Sequence, residues 1–283
     1  VNTTDPVTLV LDDVTIETAT APIELVGGAK VTLVPKDGTT NTLTCNATDL
    51  NADNSGKTAG ILVPESASLT IDRASGENGT GTLRVTGGYG GAGIGGAATL
   101  GYTSERGAKG ADGGNGSAGA WDVADIKGQA GAKGTGGLGG LYGQSATNAG
   151  TITINAGTVN AVGGQGGAGI GGGRGGDGQN GEVGINGSSG TEGRAVRRWN
   201  TGTYLNQRTD CGASGSAGGG GAGGNGGNGG AGGNGGVVAI KGGTVTAEGK
   251  NGAAGIGGGA GGNGGNGGSG GSGGAKVGNQ DTT

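Results

Sequence analysis

The chain has no histidine, methionine or phenylalanine, and its tryptophans and tyrosines together number six in 283 residues. Without imidazole, the serine, cysteine and metal chemistries that depend on it are excluded, leaving only carboxylates, lysines and arginines as catalytic groups. Without aromatics and with few large aliphatics, no conventional mixed core can be assembled. All four prolines fall at or before residue 64. No apolar run approaches the ~20 residues of a membrane-spanning helix, so membrane insertion is not expected. Val1 to Asp5 also lack the basic and apolar pattern of a signal peptide, and the sequence reads as a mature, exported product with that peptide removed. The 17 basic residues are scattered apart from Arg194, Arg197 and Arg198, and the formal charge is -4, which argues against a nucleic-acid partner.

Cysteine is nearly absent too, with only Cys45 and Cys211. Either they form one bridge closing a long loop, worth about 2–5 kcal/mol, or they remain two buried thiols. Asn-x-Ser/Thr triplets begin at Asn2, Asn46, Asn78, Asn115 and Asn186 and are weakly consistent with export.

What is present falls into two textures. Up to residue 86, short alternating segments recur: Val7-Thr8-Leu9-Val10-Leu11, Val14-Thr15-Ile16, Ile23-Glu24-Leu25, Val31-Thr32-Leu33-Val34, Ile61-Leu62-Val63, Leu69-Thr70-Ile71 and Leu83-Arg84-Val85. Their period of two and β-branched residues predict strands, suited to a small sandwich or to the coils of a parallel β-helix. Beyond residue 86, Ala-Gly-Ile-Gly-Gly occurs at Ala92, Ala168 and Ala254, the last two copies preceded by the strand patterns Thr151–Val159 and Val237–Val245. The domain reading is a strand-rich part, 1–86, and a part of strand modules interrupted by glycine-rich insertions, 87–283.

Glycine, at 84 residues, keeps a register in those insertions. It stands at every third position over 163–193, 212–236 and 249–273, and in the shorter runs 87–96, 107–119 and 128–143. Polyproline II has three residues per turn, so such glycines form one bare edge along which another helix can approach closely. Collagen shares this period, but these runs contain no proline and many triplets carry a second glycine, as in Gly224-Asn225-Gly226-Gly227-Asn228, which favours a polyglycine-II bundle over a collagen-type helix. Fixing each residue costs about 1–2 kcal/mol with almost no apolar burial in return. A polyproline-II helix also bonds none of its own amides, so only mutual hydrogen bonding, at about 1 kcal/mol net per bond, makes order possible. The expected unit is therefore a polyglycine-II bundle, against the rival reading of flexible glycine-rich linkers.

The segments Ala59-Gly60-Ile61-Leu62-Val63-Pro64 with Ala67-Ser68-Leu69-Thr70-Ile71, Gly81-Thr82-Leu83-Arg84-Val85-Thr86-Gly87-Gly88 and Gly91-Ala92-Gly93-Ile94-Gly95-Gly96 resemble bacterial cell-surface proteins with repetitive β-helix-like domains. The likeness covers about residues 7–100 and the two later repeats, and implies a right-handed parallel β-helix. The triplet glycine runs are similar in architecture to the polyglycine-II bundles of springtail antifreeze proteins and of phage tail-fibre adhesins. No binding motif carries over, and the strand repeats between the runs depart from the antifreeze pattern. The fold class expected is all-β: a short-strand parallel β-helix or β-solenoid with an inserted polyglycine-II bundle and no α-helix.

Chemistry is thinly marked. The adjacent pair Asp12-Asp13 faces opposite ways on a strand and reads as a solvated turn rather than a glycosidase pair. Asp49-Leu50-Asn51-Ala52-Asp53-Asn54 alternates oxygen ligands as calcium loops do, but lacks the loop glycine and the terminal acid, and reads as an Asx-rich turn. No catalytic residue, cofactor site or metal site is assigned. The least repetitive insertion, 194–208, places Arg197, Arg198, Trp199 and Tyr204 together, a candidate contact surface for a protein or a sugar, or else a loop capping a bundle. Trp121, Tyr102 and Tyr142 are read with the same reserve.

Two functions follow as expectations. The first is a non-enzymatic structural protein outside the cell or on its surface, a subunit that polymerises with copies of itself into a filament or layer, with Val7 to Leu11 as a strand for insertion into a neighbour. The second is an adhesin or carbohydrate-binding surface protein with a rigid glycine-helix stalk.

Overall fold

A computed structural model describes residues 1–114, 130, 132–189, 219 and 221–274. Among the described residues there is no α-helix, and seventeen short strands are arranged almost entirely in parallel. The chain divides into two units: Val1–Thr103 with Tyr142–Gly178 and Asn228–Gly264, and Ser104–Leu141 with Gln179–Gly227 and Gly265–Thr283.

The first unit is a parallel β-solenoid of five rungs and three sheets. Its rungs are β1 (Val7–Leu11), β2 (Thr15–Thr18) and β3 (Ile23–Glu24); β4 (Lys30–Pro35), β5 (Thr40–Cys45) and β6 (Ile61–Leu62); and β7 (Ser68–Ile71), β8 (Thr82–Thr86) and β9 (Ile94–Gly95). After β10 (Tyr102–Arg106) and β11 (Leu141–Gly143), which form a separate two-stranded sheet, come the fourth and fifth rungs. These are β12 (Thr151–Ile154), β13 (Thr158–Val162) and β14 (Ile170–Gly171), then β15 (Val237–Ile240), β16 (Thr244–Glu248) and β17 (Ile256–Gly257). The sheets run β1-β4-β7-β12-β15, β2-β5-β8-β13-β16 and β3-β6-β9-β14-β17, so strands on both sides of residue 86 share all three.

Alternation places every second residue inside, and the parallel register stacks like on like. The first sheet carries the column Leu9, Leu33, Ile71, Ile154, Ile240. The second carries Ile16, Leu43, Val85, Ala161, Ala247. The third carries five isoleucines: Ile23, Ile61, Ile94, Ile170 and Ile256. The inner members of these columns, with Leu69, Leu83, Ile152 and Val159, make one aliphatic core without an aromatic residue, from which Ile16, Ile240 and Ile256 at the ends stand out. One polar residue enters it: fully buried Asn41, whose Oδ1 accepts the Val14 N–H at 2.9 Å and whose Nδ2 donates to Thr39 Oγ1 at 3.1 Å.

The repeated Ala-Gly-Ile-Gly-Gly is the device by which the chain leaves the third sheet. Its alanine and isoleucine are buried at Ala92, Ile94, Ala168 and Ile170. The glycine after the isoleucine has φ of 135° at Gly95, 140° at Gly171 and 141° at Gly257, a region closed to side chains. A Cβ at Gly95 would also overlap the carbonyl oxygen of Gly171. The first two rungs carry Ile23-Glu24-Leu25 and Ile61-Leu62-Val63 at this place and pass directly to their next strands, whereas all three exits with the glycines open into glycine-rich runs.

Within the first unit those runs are extended, and their amides bond sideways every third residue. Gly143, Ala146 and Ala149 N–H donate to the carbonyls of Asn228, Ala231 and Asn234 at 2.8 to 3.0 Å. Gly230 and Gly233 donate to Gly176 and Gly173, and Gly259 and Gly262 donate in turn to Gly233 and Gly230. A three-residue donor period without positive φ over 228–235 and 258–264 is the polyglycine-II arrangement. The register is not spiral throughout, since its beginnings at 87–95 and 163–171 lie in turns and in β9 and β14.

The second unit is a bundle of such spirals. Gly107, Gly110 and Gly113 donate to Gly140, Gly137 and Gly134, an antiparallel pairing; Gly134, Gly137 and Gly140 donate to Gly219, Ala222 and Asn225, a parallel one. Among the described residues the segment 221–227 is bonded to four others, 108–111, 137–140, 179–185 and 265–271. Double glycines serve this position: a Cβ at Gly224 would strike the Leu138 carbonyl, and one at Gly226 the Gly265 carbonyl.

Candidate assembly surface and polar cleft

Both ends of the solenoid leave strands unpaired on one side among the described residues. At the last rung, β15, β16 and β17 are edge strands of all three sheets. The core columns run out there: Ile240 and Ile256 are 47% and 45% exposed, and Val238, Val245 and Ala247 are only half-buried against the core, while Val237 stands on the outward face with Thr151 and Lys30. At the first rung, β1 and β2 are the opposite edges, with Val10 and Ile16 exposed. The third edge at this end is partly taken, because the Val1 amine donates to the Glu24 carbonyl and Val26 N–H donates to Val1 O at 2.9 Å.

The ends differ in charge. The first rung and its corners, residues 1–26, hold Asp5, Asp12, Asp13, Glu17 and Glu24 and no basic side chain; the last, residues 237–258, holds Lys241 and Lys250 with Glu248 alone against them. Asp12 and Asp13 sit at the corner between β1 and β2, where Lys36 of the second rung already pairs with Asp12 at 2.7 Å. Lys241 occupies the equivalent corner after β15.

A second feature of the first unit is a shallow polar cleft of about 220 Å³ lined by Tyr89, Gln165, Arg174, Asn251, Ala260, Gly261 and Asn263. Tyr89, Gln165 and Asn251 occupy the same turn position in three successive rungs, each just before a glycine of positive φ (Gly90, Gly166, Gly252). Arg174 holds its guanidinium 5.8 Å from the centre of the Tyr89 ring and donates to Asp177 Oδ1 at 2.6 Å. The same oxygen accepts the Asn263 N–H at 2.7 Å. Burial pushes the Asp177 carboxyl upward, but the bonds from Arg174 and Asn263 outweigh it and hold the group below its usual range. This cluster was not read from the sequence. The signal for it is the non-glycine residue that interrupts Gly87-Gly88-Tyr89-Gly90-Gly91 and Gly163-Gly164-Gln165-Gly166-Gly167 at one repeated place.

Arg197, Arg198, Trp199 and Tyr204, named as a contact surface, lie outside the described residues, as do Trp121 and Cys211. Cys45 closes β5 as a free, buried thiol. Burial raises its pKa, partly offset by the Ala47 and Gly88 amides. Tyr102 is exposed in β10 and Tyr142 half-buried in β11. The segment from Asp49 to Asn54 is an Asx turn: Asn51 Oδ1 accepts the Asp53 and Asn54 amides, and Asn54 Oδ1 accepts the Asn51 amide at 2.9 Å. Among the described residues no group of three acidic, cysteine or histidine side chains converges as metal ligands, and no helix is long and apolar enough to cross a membrane.

No protein-family model, curated protein or solved structure matches this chain.

Proposed function

We propose that the chain is a non-enzymatic structural protein of the cell surface or extracellular space, a subunit that assembles with copies of itself into a filament or layer. The observation that carries this reading is the last rung, which no described residue covers and where three edge strands and the ends of the core columns are exposed. Exposed sheet edges are templates for pairing with another chain, and soluble monomers ordinarily blunt or cover them. Residues supplied only as backbone and small side chains, in a bundle bonded amide to carbonyl, suit a mechanical role better than recognition of many ligands. Negative-stain electron microscopy of the purified protein over a concentration series tests it. Ordered polymers are the expected result, and monomers alone at high concentration would remove the reading.

The Tyr89–Arg174 cleft supports a second reading as a carbohydrate-binding adhesin, since an aromatic ring beside planar amide and guanidinium groups suits a sugar's face and hydroxyls. Glycan-array binding that disappears in Tyr89→Ala is the expected outcome under that reading; silence of the wild-type protein on the array ends it.

A further inference from the structure

We infer that copies of this chain join head to tail, β15 and β16 of one copy pairing in parallel with β1 and β2 of the next. The inference rests on the reading of the chain as a self-assembling subunit and names the two surfaces that meet. Such a contact is heterologous, using different faces on the two partners, and therefore propagates into an open polymer rather than closing as a dimer.

Register supplies the first argument. In the first sheet each step from rung to rung keeps the inner column aligned, ending at Val238 and Ile240 on one side and beginning at Val7 and Leu9 on the other. In the second, Val245 and Ala247 end columns that begin beside Val14 and at Ile16. A neighbouring first rung laid on β15 and β16 continues both columns and covers Ile240 along with the half-buried Val238, Val245 and Ala247. The two faces thus need no rearrangement, only one more step of the same 4.8 Å stacking.

Charge is the second argument, and it selects this pairing over last rung against last rung. In register Lys241 falls on Val10, two residues before Asp12, so the contact brings the basic end of one copy beside the acidic corner of the next without repeating the Lys36–Asp12 pair residue for residue. One like-charged meeting occurs, Glu248 on Glu17, which share a column through Thr44, Thr86 and Val162; Lys250 stands two residues beyond. Val1 and Asn2 occupy part of the third edge of the first rung, so the contact is assigned to the first two sheets.

Thr15 and Thr246 are both exposed and lie at opposite ends of one column: Thr15, Thr42, Arg84, Asn160, Thr246. Within one chain they stand four rungs apart, about 19 Å, well outside disulfide reach of ~7 Å between Cα atoms. Across the inferred contact they are neighbours. The test oxidises full-length Thr15→Cys/Thr246→Cys protein and reads it on a non-reducing gel, with linked peptides identified by mass spectrometry. The two single variants, separately and mixed, control for Cys45, Cys211 and faulty folding of the double variant. A ladder of covalent oligomers carrying the 15–246 link, with the same link joining the mixed single variants, is the expected result. Polymers visible by microscopy without that link overturn the assigned faces and leave self-assembly standing. Absence of both polymers and link removes the self-assembly reading with it, and a link from the last rung to some other chain segment reassigns the occupant.

Discussion

Asn41 shows how one polar side chain is admitted to an aliphatic column. Its neighbour in register is Leu83, yet its amide bonds Val14, Thr39 and, at 3.4 Å, the Thr82 carbonyl, so it ties the corner of the first rung to the second and third. Asn41→Leu keeps the branching at Cγ but strands the Val14 amide, and the expected loss is about 1–3 kcal/mol in chemical denaturation. An unchanged midpoint would mean that water satisfies Val14 instead. Cys45 behaves differently. Buried and pushed toward the thiol form, it should resist iodoacetamide at pH 8 in the folded protein and label only on unfolding, as read on its own peptide by mass spectrometry. Asp37, on the surface, accepts the amides of Asn78 at 2.6 Å and Thr80 at 2.8 Å, and those bonds hold its carboxyl below the usual range. A depressed folded pKa contributes stability that is present above the unfolded carboxylate value and is lost as pH falls through the folded one. Asp37→Asn is therefore expected to flatten part of the acid limb of the stability curve, with the difference from wild type largest near neutrality and vanishing at the lowest pH.

In the glycine-rich runs the two glycines of a triplet have different duties. A Cβ at Gly262 would overlap the Gly176 carbonyl, whereas one at Gly261 finds its nearest heavy atom, the Gly230 carbonyl, at 3.5 Å. Gly262→Ala is expected to lower the melting temperature of the first unit clearly, and Gly261→Ala to leave it unchanged or raise it by restricting the unfolded chain, an effect of about 0.4–1 kcal/mol. Equal losses in both variants would mean that a further neighbour lies along the 261 edge. The period of three was legible in the sequence because a close-packed threefold spiral requires glycine at that interval over long runs; its beginnings at 87–95 and 163–171, where the same spacing serves turns and short strands, were not separable by spacing alone. Strands were legible wherever Val, Ile and Leu alternate with Thr. Thr40–Cys45 escaped because Leu43 is its only large aliphatic residue and Asn41 fills an inner place. The order of rungs was hidden for another reason: β7 and β12, neighbours in register, are separated by a whole glycine-rich excursion that no local pattern bridges. For the site the same holds, since Tyr89, Gln165 and Asn251 become one lining only when the rungs are stacked.

At the scale of the molecule, the solenoid makes stability a matter of position. Each rung contacts only the rungs beside it, so an inner residue is held by two neighbours and a terminal one by one. The isoleucine column of the third sheet isolates this effect because residue type and register are constant along it. Ile61, Ile94 and Ile170 have no exposed surface, and truncation to alanine there is expected to cost about 2–5 kcal/mol each. Ile256 already exposes 45% of its surface and has no rung beyond it among the described residues, so Ile256→Ala should cost markedly less in dilute solution. The measurement is urea denaturation followed by circular dichroism, at a concentration where microscopy shows no polymer. If Ile256→Ala falls as far as Ile94→Ala, the end of the column is covered even in the isolated subunit, and the last rung cannot be the open template on which another copy builds.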